Sequence, residues 1–253
     1  ARYRMASNSY SDSIGVADFR SIDASQYDVI LWAFVDTCHR TIPGRAALRK
    51  MNGESCATGN DDDNGRLAFM ETDDGSHQIP SAVEFWRDVN PNIKVILSLG
   101  GWSVNPRRIG SVVGNPTTRA RLLSDISDAI RDLHVDGVDF DWEYPGTYPK
   151  WPVYDHTNDI ITADRDVCPG PENSVYSNCS LQGDLEAFNT TIIEFNATFA
   201  SLTQELGRHI YLGAAVHSFK ATEYGYPVET MNKYMDHVGL MSYDLAGSWS
   251  SMV

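Results

Sequence analysis

Asp136-Gly-Val-Asp-Phe-Asp-Trp-Glu-Tyr-Pro-Gly146 is the most informative stretch of the chain. On an extended strand successive side chains point to opposite faces. Asp139, Asp141 and Glu143 therefore share one face, and Val138, Phe140 and Trp142 share the other. The apolar face demands packing, so a solvated edge strand fits poorly. Neighbouring carboxylates on the acidic face lie about 6.7 Å apart along the backbone, and burial makes all of them expensive to keep ionised. Like charges at that spacing share protons, which raises at least one pKa. A carboxylic acid held protonated near neutral pH is what a general acid requires. Pro145-Gly146 ends the strand just past Glu143 and leaves that side chain at its C-terminal mouth. A metal-binding carboxylate cluster is the alternative, but no histidine pattern accompanies it.

Outward from this stretch, apolar runs alternate with helical patterns. Val29–Val35, Lys94–Gly101, Ile210–Val216 and Val238–Ser242 read as further strands. Ser81–Asn90 reads as a short helix stopped by Pro91, and Asn115-Pro116 as a cap followed by proline at the first helical position. Leu122, Ile126, Ile130 and Leu133 then mark one helix face. Leu185, Phe188, Ile192, Phe195, Phe199, Leu202 and Leu206 step by 3, 4, 3, 4, 3 and 4 residues, the clearest helix in the chain. A Gly/Asp/Asn-rich loop after the first strand carries Asp61-Asp62-Asp63, which reads as a solvated turn because it lacks the spaced ligands of a calcium loop. Residues 147–183 have no sustained period and read as an insertion. Strands of buried type alternating with helices indicate one parallel α/β domain; periodicity alone does not separate an open sheet from a barrel.

The 253 residues carry 20 Lys+Arg against 34 Asp+Glu, a net charge of −14 that repels phosphate and argues against nucleic acid or an anionic membrane as partner. No apolar run is long enough for a membrane span. Four cysteines, Cys38, Cys56, Cys168 and Cys179, permit three pairings; Cys38–Cys56 and Cys168–Cys179 are favoured, since each would staple one local loop. Neither a CxxC nor a nearby histidine cluster suggests a metal, and nothing calls for a cofactor. The sequons at Asn178, Asn189 and Asn196, beside candidate disulfides, point to a secreted, extracellular glycoprotein.

The residues from Asp136 to Glu143 resemble the DxxDxDxE signature of glycoside hydrolase family 18, the chitinase family. Ser98-Leu-Gly-Gly-Trp102 is similar to that family's SxGG(W) strand, and Met241-Ser-Tyr-Asp244 to its MxYD strand. The three motifs fall in the family's order. The resemblance implies an α/β fold, the (β/α)8 TIM barrel, with chemistry at the C-terminal ends of its strands. It also implies substrate-assisted, retaining hydrolysis of β-1,4-linked N-acetylglucosamine, an exception to the scheme with two carboxylates. Glu143 would protonate the glycosidic oxygen. Asp141 would orient the substrate acetamide, Asp139 would share a proton with Asp141, and Tyr243 would hydrogen-bond the acetamide oxygen. Trp102, Tyr144, Asp244 and Trp249 would bind sugar. The resemblance leaves Ser98, Gly100 and Gly101 a packing role beside the acids, and Asp136 a structural one at the start of the strand.

Aligned this way, residues 1–253 cover about strands 2–6 of the barrel, with Ala1–Arg4 falling in the loop after strand 1. The expectation is a family 18 barrel domain over 1–253, incomplete at both ends and completed by further chain segments or a larger assembly. Chitin or N-acetylglucosamine oligosaccharide is the expected partner. A chitinase leads; a non-hydrolytic chitinase-like lectin or structural glycoprotein, and an endo-β-N-acetylglucosaminidase, are the alternatives.

Overall fold

A computed structural model describes residues 2–7, 19–39, 48–57, 59–70, 78–102, 104, 106–145, 178–217 and 226–243. Its strands are β1 (Tyr3–Ser7), β2 (Val29–Thr37), β3 (Leu48–Arg49), β4 (Leu67–Met70), β5 (Lys94–Gly100), β6 (Gly137–Asp141), β7 (Tyr211–His217) and β8 (His237–Met241). The helices are α1 (Gln78–Val89), α2 (Pro106–Gly114), α3 (Pro116–Asp132), α4 (Asn178–Leu206) and α5 (Val228–Tyr234). Six strands pair in parallel in the order β1-β2-β5-β6-β7-β8. The short antiparallel pair β3–β4 hangs from the end of β2 through Asp36↔Ala68 and Thr37↔Leu67. This is the wall of a TIM barrel, unclosed among the described residues.

The wall holds one strand more than the five expected. Residues 3–7, whose first two fall in the expected loop Ala1–Arg4, run parallel to Val29–Ala33 as β1. The reason for the difference is physical: Tyr-Arg-Met-Ala-Ser has no apolar run, and its place comes from backbone pairing to one neighbour. The rings of Tyr3 and His237, on strands at opposite edges of the parallel sheet, lie 5.7 Å apart, so the sheet curls until its two edges face each other across the concave side. On the outer side of β8, Val238 and Leu240 stay 46% and 59% exposed.

The outer face of β6 is apolar and pinned by α4. Phe140 meets Phe188 and Phe195 edge-on at centroid distances of 5.5 and 5.3 Å, and Trp142 meets Phe188 at 5.6 Å. Phe188, Ile192, Phe195, Phe199 and Leu202 of the helical stripe are buried, whereas its first residue, Leu185, is exposed. The helix begins at Asn178, so the last residues of the expected insertion, 178–183, belong to α4; residues 146–177 lie outside the described residues. On α3 the Asn115 side chain accepts hydrogen bonds from the amides of Thr117 and Thr118, and Leu122, Ile126 and Ile130 are fully buried. Helix α2 has an internal glycine and β-branched residues, which hides it from propensity. It forms because Ile109, Val112 and Val113 enter the core and Arg108 makes a buried ion pair with Asp36.

Two acidic residues have structural jobs. Of the Asp61–Asp63 turn, expected to be solvated, only Asp61 and Asp62 are exposed; Asp63 is buried and takes Lys50 Nζ at 2.8 Å and the amide of Ala57 at 2.9 Å. At the start of β6, buried Asp136 receives Arg87 and the Val95 amide at 2.9 Å each, and Arg208 at 2.8 Å. It thereby ties α1, β5 and the α4–β7 connection to one carboxylate. Asp136→Ala leaves the Val95 amide without its side-chain acceptor and two half-buried guanidinium groups, held then only by backbone carbonyls, without their carboxylate. The expected loss is about 3 kcal/mol, read as a lower urea midpoint at unchanged m-value; a change under about 0.5 kcal/mol would contradict the role.

Candidate active site

Strand register sets the concave face as two rows. In the lower row Ser98, Asp139, Gly213 and His237 lie side by side on β5, β6, β7 and β8. In the upper row Gly100 of β5 lies beside Asp141 of β6. Asp139 and Asp141 are 2% and 3% exposed, so both carboxyl groups are withdrawn from water. Ser98 Oγ donates to Asp139 Oδ2 at 3.4 Å, and His237 Nε2 meets Asp139 Oδ1 at 3.1 Å. Asp141 Oδ1 is buried and has no hydrogen-bond partner among the described residues. Burial, then the charges of Glu143 and Asp139, push the Asp141 carboxyl up to about 8. A buried oxygen without a donor is the costliest place to hold a negative charge, so Asp141 carries a proton through the neutral range.

The glycines beside this pair are there for space. A Cβ on Gly100, whose φ is +120°, would lie 2.2 Å from the carbonyl oxygen of Asp141. A Cβ on Gly101, at φ +86°, would lie 2.6 Å from the Phe34 ring, and its amide donates to that same Asp141 carbonyl at 2.7 Å. The Ser-Leu-Gly-Gly turn thus lets β5 close onto the backbone of β6 at the level of the acids.

Glu143 lies two residues beyond β6, half-buried at the sheet's C-terminal end. The Tyr144 side chain hydrogen-bonds Glu143, and burial followed by the Glu143 charge raises the phenol pKa. Tyr144 also meets the His217 ring at 4.8 Å and the Trp102 ring at 6.5 Å, both edge-on. Trp102 is 75% exposed and Tyr243, just past β8, is 60% exposed, so two aromatic surfaces face solvent at the end of the sheet that carries Glu143. Below them the Tyr226 hydroxyl donates to the Trp142 carbonyl at 3.2 Å.

The described residues therefore bring Asp139, Asp141, Glu143, Tyr144, Trp102 and Tyr243 to one end of the sheet. Asp244, Trp249 and Cys168 lie outside the described residues, and the side chains of Asn178 and Cys179 are likewise not described. Cys38 and Cys56 form a disulfide. Asn189 and Asn196 are half-buried on α4, and Asn189 Oδ1 accepts a 2.5 Å hydrogen bond from Thr230 Oγ1 of α5. The sequence reading assigned His237 nothing. The signal that would have found it is alternation: His237, Met241 and Tyr243 share a strand parity. Among the described residues no group of three His, Cys, Asp or Glu side chains is placed to hold a metal ion.

The sequence model of Glycosyl hydrolases family 18 matches residues 3–253. A curated relative, "Probable chitinase 2" of Drosophila melanogaster, is 29% identical over 164 residues, 65% of this chain and 27% of its own. A class V chitinase of Nicotiana tobaccum, solved in complex with NAG4, is 19% identical with a TM-score of 0.64 over 98% of this chain and 53% of its own. The chitinase-like agglutinin RobpsCRA of Robinia pseudoacacia is 18% identical with a TM-score of 0.60 over 98% of this chain and 55% of its own. At these identities the likeness to solved structures shows the fold. The chain spans about a quarter of that curated relative and about half of each solved chain.

The raised Asp141 carboxyl has a thermodynamic signature. In the unfolded chain Asp titrates near the ordinary value of 3.8, and in the folded chain near 8. Between these limits the folded state binds the extra proton, so stability falls as pH rises, by up to ~1.4 kcal/mol per pH unit. Asp141→Asn, which stays neutral, should be the more stable protein, with a margin that widens from pH 4 to pH 8 in urea titrations. A margin independent of pH would contradict the protonated Asp141.

Proposed function

The chain belongs to glycosyl hydrolases family 18, and from that membership we propose that it is a secreted chitinase-type glycosidase. Its substrate is chitin or another β-1,4-linked N-acetylglucosamine oligosaccharide. The observation that carries this is the acid series along and just past β6: a buried, protonated Asp141 between Asp139 and a half-buried Glu143 at the mouth.

Glu143 delivers its proton to the glycosidic oxygen as the bond to the anomeric carbon breaks. The N-acetyl oxygen of the same sugar attacks that carbon from the opposite face and closes an oxazolinium ion. Asp141 faces the acetamide nitrogen; as charge develops there its proton passes to Asp139, and the Asp141 carboxylate left behind stabilises the cation. Tyr243 holds the acetamide oxygen in attack geometry. Glu143, now a carboxylate, takes a proton from water as it opens the oxazolinium, and configuration is retained. Trp102 offers a pyranose platform with Tyr144 at its edge, and Asp244 and Trp249 complete the sugar contacts. Residues 1–253 belong to the family 18 barrel domain, and the segment from residue 147 to the start of α4 is an insertion in it. Asn178, Asn189 and Asn196 carry glycans, and Cys168 pairs with Cys179.

A non-hydrolytic sugar binder is the second reading, since the agglutinin of Robinia pseudoacacia has the same fold. Hydrolysis of a fluorogenic chitobioside by the full-length protein separates the two. Glu143→Gln should lower kcat/KM about 10²- to 10⁴-fold, mostly in kcat. Absence of turnover by folded wild-type protein would sink the enzyme in favour of the lectin, and equal rates in both proteins would remove Glu143 from its role.

Trp102→Ala checks the platform. Removing an exposed stacking ring should cost about 1 kcal/mol, raising KM roughly fivefold at near-constant kcat. A selective fall in kcat would contradict a binding role.

A further inference from the structure

Asp139 is approached from both sides along its row, by Ser98 on the adjacent strand β5 and by His237 from two strands away. Adjacent strands lie about 4.8 Å apart, so a side chain on β8 must cross β7 to reach β6. It can do so only if the intervening residue has no side chain. That residue is Gly213, paired with both Asp139 and His237, and a Cβ built on it would lie 2.1 Å from the imidazole. The His237 and Asp139 side chains are 13% and 3% exposed, which shields the contact from water.

We propose that His237 is a positioning residue for the buried acid pair. Its Nε2–H, reaching across Gly213, holds the Asp139 carboxylate, so that Asp141 keeps the shared proton on the side of Glu143. An ionised carboxylate only accepts hydrogen bonds, so Nε2 carries the proton. The surrounding groups agree with this assignment. The Tyr3 ring from β1 packs against the imidazole at 5.7 Å. The neighbouring Asp236 turns away, to His209 Nε2 at 2.6 Å and the Leu212 amide at 2.9 Å. The groups facing Asp139 are Ser98, His237, Tyr3 and Asp141, so the donors gather on Asp139 while Asp141 Oδ1 has none among the described residues. A proton shared between the two settles on the carboxyl with fewer donors.

This inference rests on the hydrolase reading and is tested beside it in the full-length protein, with His237→Phe, His237→Gln and Gly213→Ala. His237→Phe removes the donor, and kcat on a fluorogenic chitobioside should fall about 10- to 100-fold with KM within about threefold. The acidic limb of its pH–rate profile should move to higher pH, because losing a donor disfavours the ionised pair. His237→Gln keeps an N–H and should recover most of kcat and the original limb. Gly213→Ala displaces the ring and should reproduce His237→Phe. Equal losses in His237→Phe and His237→Gln with an unmoved limb, or no loss in either, would overturn the proposal. Nitrogen-15 NMR of the His237 imidazole answers independently of turnover. A strongly deshielded Nε2 proton that shifts on Asp139→Asn supports the contact even if the wild type proves inert, and an Nε2 proton indifferent to that substitution overturns it.

Discussion

Two carboxyl groups, Asp139 and Asp141, sit on neighbouring levels of one strand at 2% and 3% exposure, and much of the surrounding structure serves to keep them there. Buried charge is tolerated only where donors meet it, and elsewhere the group keeps its proton. Asp139 meets Ser98 and His237, whereas Asp141 meets a backbone turn and the charge of Glu143. That asymmetry leaves Asp141 as the neutral acid of the pair.

The supporting elements follow from this division. The outer face of β6 is fixed by Phe140 and Trp142 against α4, which leaves the acids no register in which to turn outward. A one-residue slip would turn the acids of β6 against the aromatic rings of α4. Below the acids Asp136, with Arg87 and Arg208, locks the start of the strand. Above them Gly100 and Gly101 allow β5 to close on the Asp141 carbonyl. In the lower row Gly213 opens the passage for His237. Glycines in this site are therefore clearances set by particular neighbours.

The strongly periodic parts of the fold were legible in the sequence. The alternation from Val138 to Glu143, the capped helix after Asn115 and the long stripe from Phe188 to Leu202 all depend on local pattern, and local pattern survives in the structure. The misses have another origin. β1 is placed by pairing with β2, and α2 by Ile109, Val113 and the Asp36–Arg108 pair, contacts distant in sequence. The acids of the site were visible as types on one face. Alternation puts His237 on the face of Met241 and Tyr243, but its pairing with Asp139 was not legible, because that passes through the register of three strands and a glycine between them. Asp63 shows the converse: a run of three like residues looked uniform, yet Lys50 and the Ala57 amide select one for burial.

The division between Asp139 and Asp141 can be observed directly by carbon-13 NMR of selectively labelled aspartate side chains in the intact protein, titrated from pH 4 to pH 9 and assigned with Asp141→Asn. The Asp141 carboxyl should keep the chemical shift of a protonated acid at pH 6 and titrate near 8. An Asp141 carboxyl that is already ionised at pH 5 would contradict the account.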